Sequence, residues 1–183
     1  MKLYIMRHCE RDPSNISFES PLLEVGQNNV KKLFNTMNGY NITKLYSSPF
    51  LRTIQTASYY SNKKNIPIHI DYSLCEFAAE KEKNLMTSLN NFIIPTSWKN
   101  TFNIIEKNMI LDTFNNSETL ENCFNRIEIF MNHIINIYKN TEENILLITH
   151  MSIVNIILKI LKKNDEIFSI DKHYPMGLIT KVF

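Results

Sequence analysis

Glycine is nearly missing from this 183-residue chain: there are 3, where an average of about 7% would give roughly 13. Neither glycine-rich nucleotide loop, G-x-G-x-x-G or G-x-x-x-x-G-K-[ST], can be found in it. Arginine is almost as scarce. Of 20 basic residues, only Arg7, Arg11, Arg52 and Arg126 are arginine, so each one that remains carries information. AT-rich coding would explain both shortages. Three cysteines, Cys9, Cys75 and Cys123, lie far apart with no C-x-x-C and no zinc-like Cys/His spacing. That excludes a disulfide framework and points to free thiols in a reducing, cytoplasmic setting. No long apolar run occurs. Ile153 to Leu161 is interrupted by Asn155 and Lys159 and falls far short of the roughly 20 residues that span a bilayer. Leu3 to Met6 is broken at once by Arg7 and His8, so no secretory leader is expected. A net charge of only +2 argues against a strongly basic nucleic-acid binder and an acidic disordered tail.

What is present reads as one folded domain over residues 1–183. Hydrophobic residues make up 44%, and a chain of this length buries roughly 70% of its unfolded surface without a metal or disulfide. Lys2 to Met6 reads as a buried strand. Val25, Val30, Leu33, Phe34 and Met37 predict an amphipathic helix ended by Asn38-Gly39. Ile42 to Tyr46 reads as a second strand, followed by a helix that Ser48 caps and Pro49 opens. Ile66 to Ile70 is a third strand. From Tyr72 to Asn116 a loop and one or two helices are expected. Leu120, Phe124, Ile127, Met131, Ile134 and Tyr138 mark a long helix. Asn144 to Thr149 reads as a fully buried strand, Ser152 to Lys162 as a helix, and Leu178 to Phe183 as a last strand. Alternating strands and helices imply a three-layer α/β domain with a mostly parallel sheet.

Ligands in such folds sit outside the carboxyl ends of the strands. Arg7-His8-Cys9-Glu10-Arg11 follows the first strand, Ser47-Ser48-Pro49-Phe50-Leu51-Arg52 the second, and His150 the buried one. Alone, each has an ordinary reading: a hydrogen-bonded histidine, a solvated arginine. Together, two imidazoles and three guanidiniums at one sheet edge describe a phosphoryl pocket. Guanidinium binds phosphate through planar, paired hydrogen bonds, and neutral imidazole is a competent nucleophile.

These segments resemble the histidine phosphatase superfamily, also called phosphoglycerate mutase-like. Arg7-His8-Cys9-Glu10 is similar to its R-H-G-E signature. Pro21-Leu22-Leu23-Glu24-Val25-Gly26-Gln27, Leu45 to Ala57, Leu74-Cys75-Glu76-Phe77 and Ile145 to His150 are similar to further family stretches, in the same order. The resemblance implies a phosphomonoester hydrolase that uses no cofactor and no metal. His8 is then the nucleophile that becomes phosphohistidine. Arg7, Arg52 and His150 bind the phosphoryl group, and Glu76 is the general acid. Glu76 needs a raised pKa, with Leu74 and Phe77 supplying desolvation. Arg11 at its offset, and a serine two residues after His150, resemble the TULA-type protein tyrosine phosphatase branch, where the arginine also faces the pocket. Residues of about 77–117 form the variable segment that shapes the substrate pocket. The substrate is a phosphorylated small molecule or a phosphoprotein, with no nucleic-acid or membrane partner. The oligomeric state is left open.

Two positions depart from the family pattern: Cys9 and Met151 stand where glycine is usual, an expected narrowing of the pocket unless drift alone explains them. Cys9 beside Arg7 and Arg11 raises the expectation of an acidified, redox-sensitive thiol. A cysteine phosphatase is excluded, because Asn15 stands where its loop needs arginine, and Ser47-Ser48 lack a nucleophile-elbow context. His69, His133 and Arg126 read as structural, Asp71 and Glu80 as solvated charge, and His173 as a candidate for the pocket rim. A phosphoglycerate mutase and a non-catalytic phosphate-recognition module are the alternatives to hydrolysis.

Overall fold

The computed structural model describes residues 1–15, 17–77, 93–106, 109–111, 118–161 and 168–183. Glu80 and much of the 77–117 segment therefore lie outside the described residues. In chain order the elements are β1 (Lys2–Arg7), α1 (Glu24–Gly39), β2 (Lys44–Ser47), α2 (Leu51–Lys64), β3 (Ile68–Ile70), a 3-10 turn (Tyr72–Leu74), α3 (Thr96–Thr101), β4 (Ile104–Ile105), α4 (Leu120–Tyr138), β5 (Asn144–Thr149), α5 (Met151–Ile160) and β6 (Ile179–Lys181). The six strands lie in the order β4-β3-β2-β5-β1-β6. All pairs are parallel except β1 with β6.

Successive strand residues face opposite layers. Tyr4, Met6, Leu146 and Ile148 face the core shared with α1 and α2, while Leu3, Ile5, Ile145 and Leu147 face the core shared with α4 and α5. This is why β1 and β5 read as unbroken apolar runs: both faces are covered. Among the described residues, no helix is long and apolar enough to cross a membrane.

Several expected boundaries shift, for physical reasons. Gly39 lies inside α1, and Asn41 takes the left-handed backbone beyond it, with φ of 50°. Asn65 does the same after α2, with φ of 52°. Asparagine tolerates this region better than other non-glycine residues, so the abundant residue does the work of the scarce one. Val25 is exposed, and Gly26 faces inward instead. A Cβ there would stand 2.3 Å from the Glu10 carbonyl oxygen, so α1 can lie this close to the loop after β1 only on glycine. α2 begins at Leu51 with Phe50 in the cap position, and the Ser48 hydroxyl reaches no amide of the helix's first turn, only that of Phe50 before it, at 3.5 Å. β4 was not expected: two isoleucines give no periodicity to read.

Candidate active site

His8, Ser48 and His150 are each the first residue beyond a strand, after β1, β2 and β5 respectively. The ladder continues into them. The His8 amide donates to the Thr149 carbonyl at 2.9 Å and the Ser48 amide to the Ile148 carbonyl at 3.1 Å. The two imidazoles thus meet at the carboxyl edge of the sheet, with ring centroids 5.4 Å apart. Arg52, on the first turn of α2, reaches the same point, its Nη2 donating to His150 Nδ1 at 3.4 Å. Phe50 forms a wall there, 4.6 Å from the His150 ring and 4.2 Å below the Arg52 guanidinium.

The hydrogen bonds assign the tautomers. His8 Nδ1 lies 2.7 Å from the Cys9 carbonyl oxygen, which only accepts, so Nδ1 carries the proton and Nε2 the lone pair. Arg52 only donates, so His150 Nδ1 accepts and Nε2 donates to the Ser48 hydroxyl at 2.9 Å. Burial first, then Arg52, holds both histidines well below their ordinary pKa; Arg7 and Arg11 add to it. Both rings are therefore neutral at physiological pH.

Three guanidiniums surround them. Arg52 is 1% exposed, and Arg7 and Arg11 are half-buried. Desolvation lowers all three, in Arg52 to about 9 with repulsion from Arg11 as the next cause. Arg7 Nη1 is anchored on the Tyr174 carbonyl at 2.9 Å, and Arg11 Nη1 on the Asp12 and Asn15 carbonyls at 2.6 and 2.8 Å. Among the described residues, the buried Nε atoms of Arg7 and Arg52 have no hydrogen-bond partner. A buried donor left open beside like charges asks for an anion.

Glu76 faces this cluster from the turn beyond β3. Its Oε2 lies 3.7 Å from His150 Nδ1, and its Oε1 accepts from the Ser152 hydroxyl and from the Phe77 amide, the latter at 3.2 Å. Burial raises its pKa to about 7, against the downward pull of Arg52, Arg7 and Arg11. Desolvation wins, as expected for this residue. The arrangement joins a neutral imidazole with a free Nε2 lone pair, a cationic surface and a carboxyl that can give or take a proton near neutral pH.

The family-model match for "Histidine phosphatase superfamily (branch 1)" spans residues 3–174. The chain belongs to this superfamily. Its structure resembles an ecdysone phosphate phosphatase from Bombix mori in complex with tungstate (17% identity, TM-score 0.69, covering 96% of this chain and 83% of that one). It also resembles an α-ribazole phosphatase from Shigella flexneri (18%, 0.67, 99% and 89%). A third is a mycobacterial glucosyl-3-phosphoglycerate phosphatase in complex with inorganic phosphate (12%, 0.62, 89% and 79%). A search of curated protein sequences finds no match. At these identities the likeness shows a histidine phosphatase fold, with the mostly parallel sheet and flanking helices expected from the sequence.

All six residues singled out, His8, Glu76, His150, Arg7, Arg11 and Arg52, come together. Cys9 does not behave as expected. Its side chain is fully buried in an apolar cluster with Leu22 and Val30, under α1 and away from the arginines. Burial, then the charge of Glu10, pushes the thiol up to about 12, so it is not acidified. His69 and His133 line a separate cavity of about 360 Å³ with Tyr46, Asp71 and Tyr138. Asp71 is not solvated: it caps the 3-10 turn through the Ser73 amide at 2.8 Å and holds the Ile110 amide at 2.8 Å. His173 is exposed, and its neighbour Tyr174 supplies the contact to Arg7. Among the described residues, no group of three or more His, Cys, Asp or Glu is placed to hold a metal ion. Sequence reasoning missed Ser48 as the partner of His150, and it missed the reach of Arg126, considered below. The general scarcity of arginine was a signal for the latter.

Proposed function

We propose that this chain is a phosphomonoester phosphatase working through a phosphohistidine on His8. The observation that carries the reading is the neutral His8 ring, with its lone pair on Nε2, beside the buried Nε donors of Arg7 and Arg52, which no hydrogen-bond acceptor among the described residues meets. A phosphoryl dianion bound by Arg7, Arg11 and Arg52 satisfies those donors, and His150 joins them by moving its proton to Nδ1, with the Ser48 hydroxyl then donating to Nε2. His8 Nε2 attacks phosphorus in line while the bond to the leaving oxygen breaks. That oxygen takes the Glu76 proton. Water then gives a proton to the Glu76 carboxylate and attacks the phosphorus of phosphohistidine. The histidine leaves, inorganic phosphate departs, and Glu76 is again protonated. The guanidiniums spread the transition-state charge that Mg²⁺ carries in other phosphoryl transfer enzymes.

The neighbours named for ecdysone phosphate, α-ribazole phosphate and glucosyl-3-phosphoglycerate chemistry favour a phosphorylated small molecule as the substrate class. We further take residues 1–183 as one such domain, with the 77–117 segment shaping the pocket. Rapid quench with ³²P-labelled substrate tests the mechanism: an acid-labile, base-stable phosphoenzyme is expected in wild type, formed at full extent in EDTA. Turnover without that intermediate, or loss of turnover in EDTA, overturns it.

A further inference from the structure

We propose that Arg126 is a positioning residue for the general acid, acting through the backbone that carries Glu76. This rests on the assignment of Glu76 above. Arg126 lies on α4, on the opposite side of the acid turn from the phosphoryl pocket residues. One edge of its guanidinium is held by the Glu118 carboxylate, Nε to Oε2 at 2.8 Å and Nη2 to Oε1 at 2.5 Å. Nη1 donates to the Ser73 carbonyl at 2.5 Å, and Nη2 to the Cys75 carbonyl at 3.0 Å and to that of Glu76 at 3.5 Å. Three carbonyls from a four-residue stretch thus converge on one cation that is almost wholly shielded from solvent.

Ser73–Glu76 belongs to no strand, so no ladder sets its path. Carbonyls in such a turn ordinarily face water. Here their orientation is fixed from behind, and the carboxyl is fixed from in front by the Ser152 hydroxyl and the Phe77 amide. Only a planar fork can serve a carboxylate and three carbonyls at once, so lysine is a poor substitute. Glu118 balances the charge of Arg126. The charges that bear on the Glu76 carboxyl are those of Arg52, Arg7 and Arg11, on the pocket side. Arg126 therefore sets where the acid stands, while the pocket arginines are the leading charges on its proton affinity.

The test exploits leaving-group chemistry. An alkyl phosphate needs the acid, because its alkoxide is a poor leaving group; p-nitrophenyl phosphate hardly does. In Arg126→Met and Glu118→Gln, kcat on an alkyl phosphate should fall about 10-fold or more while kcat on p-nitrophenyl phosphate falls less than about 3-fold. Inhibition by inorganic phosphate should not change, and Arg126→Lys should recover part of the loss. Glu76→Gln is the reference. If it shows the same selectivity but the Arg126 and Glu118 variants lose both substrates equally, or lose nothing, the positioning role is overturned and the acid assignment stands. If Glu76→Gln shows no selectivity, both fall. Should Arg126→Met not fold, Arg126→Lys and Glu118→Gln, which keep a polar side chain at each position, carry the test.

Discussion

The two halves of the site are held in different ways. His8, Ser48 and His150 are continuations of β1, β2 and β5, and their amide positions follow from the sheet ladder. Glu76 follows the last residue of β3 by six positions (70 to 76) and hangs on side chains from elsewhere: Asp71 at the start of the turn, Thr149 on the Leu74 carbonyl at 2.7 Å, Ser152 on the carboxyl. The cradle is thus as rigid as the sheet, whereas the acid is as well placed as its side-chain props. On the mechanism proposed above, binding a phosphoryl group and expelling a leaving group are separable tasks, and variants should divide along that line.

The largest effect belongs to the cradle. His8→Ala should lower kcat by about 10⁴-fold or more on every phosphomonoester, aryl or alkyl. A variant that keeps its p-nitrophenyl phosphatase activity would break the comparison at its root. Next, Glu76→Gln should cost about 10²–10³-fold on an alkyl phosphate and under 10-fold on p-nitrophenyl phosphate. Equal losses would mean that the acid turn also shapes the cradle.

The pH profile sharpens the division further. Glu76 keeps its proton up to about 7, so kcat/KM on an alkyl phosphate should be level below that and fall about tenfold per unit above it. The neutral histidines add no acidic limb in this range, since burial and arginine charge hold both down. Stability should follow the same group. The folded carboxyl holds its proton more tightly than an ordinary one at 4.5, so the stability it contributes below 4.5 declines as pH rises toward 7, by up to about 3 kcal/mol. Urea titrations of wild type and Glu76→Gln across that window should diverge, with only the wild type declining through this group. The smallest effect is expected from Ser48→Ala. Losing the bond to His150 Nε2 is worth about 1 kcal/mol, or about fivefold in kcat, on aryl and alkyl substrates alike. A loss confined to alkyl substrates would place Ser48 with the acid instead.

The same contrast explains what could be read in advance. β1, β5 and α4 carry regular patterns because the two strands are covered on both faces and the helix buries one face along its length, and their limits were close to those expected. The cradle was legible because its residues sit next to those strands in sequence. The props of the acid were not. Arg126 meets Ser73 and Cys75 across more than 50 positions, and Ser152 meets Glu76 across 76; no local pattern announces such pairs. Arg126 was nonetheless one of only four arginines, and the logic applied to Arg7, Arg11 and Arg52 would have singled it out. Cys9 failed for the opposite reason. Its sequence neighbours suggested a charged setting, but a residue following His8 along extended backbone turns to the other side, into the Leu22–Val30 cluster.

The strand order has a consequence for how the protein is made. β1 lies between β5 and β6, with register partners from Lys2 with Asn144 to Arg7 with Thr149. β1 therefore has no native neighbour until about 140 further residues exist, about 7–30 s at 5–20 residues per second. Throughout that interval Leu3, Tyr4, Ile5 and Met6 form an apolar segment that nothing in the nascent chain can cover with its native partners. His8 next to it waits as long for Thr149, and Arg7 longer for the Tyr174 carbonyl. Assembly of this corner of the sheet is thereby among the last events of folding, set by contacts of high sequence separation, and a cell making this chain must shield Leu3 to Met6 until the sheet closes around them.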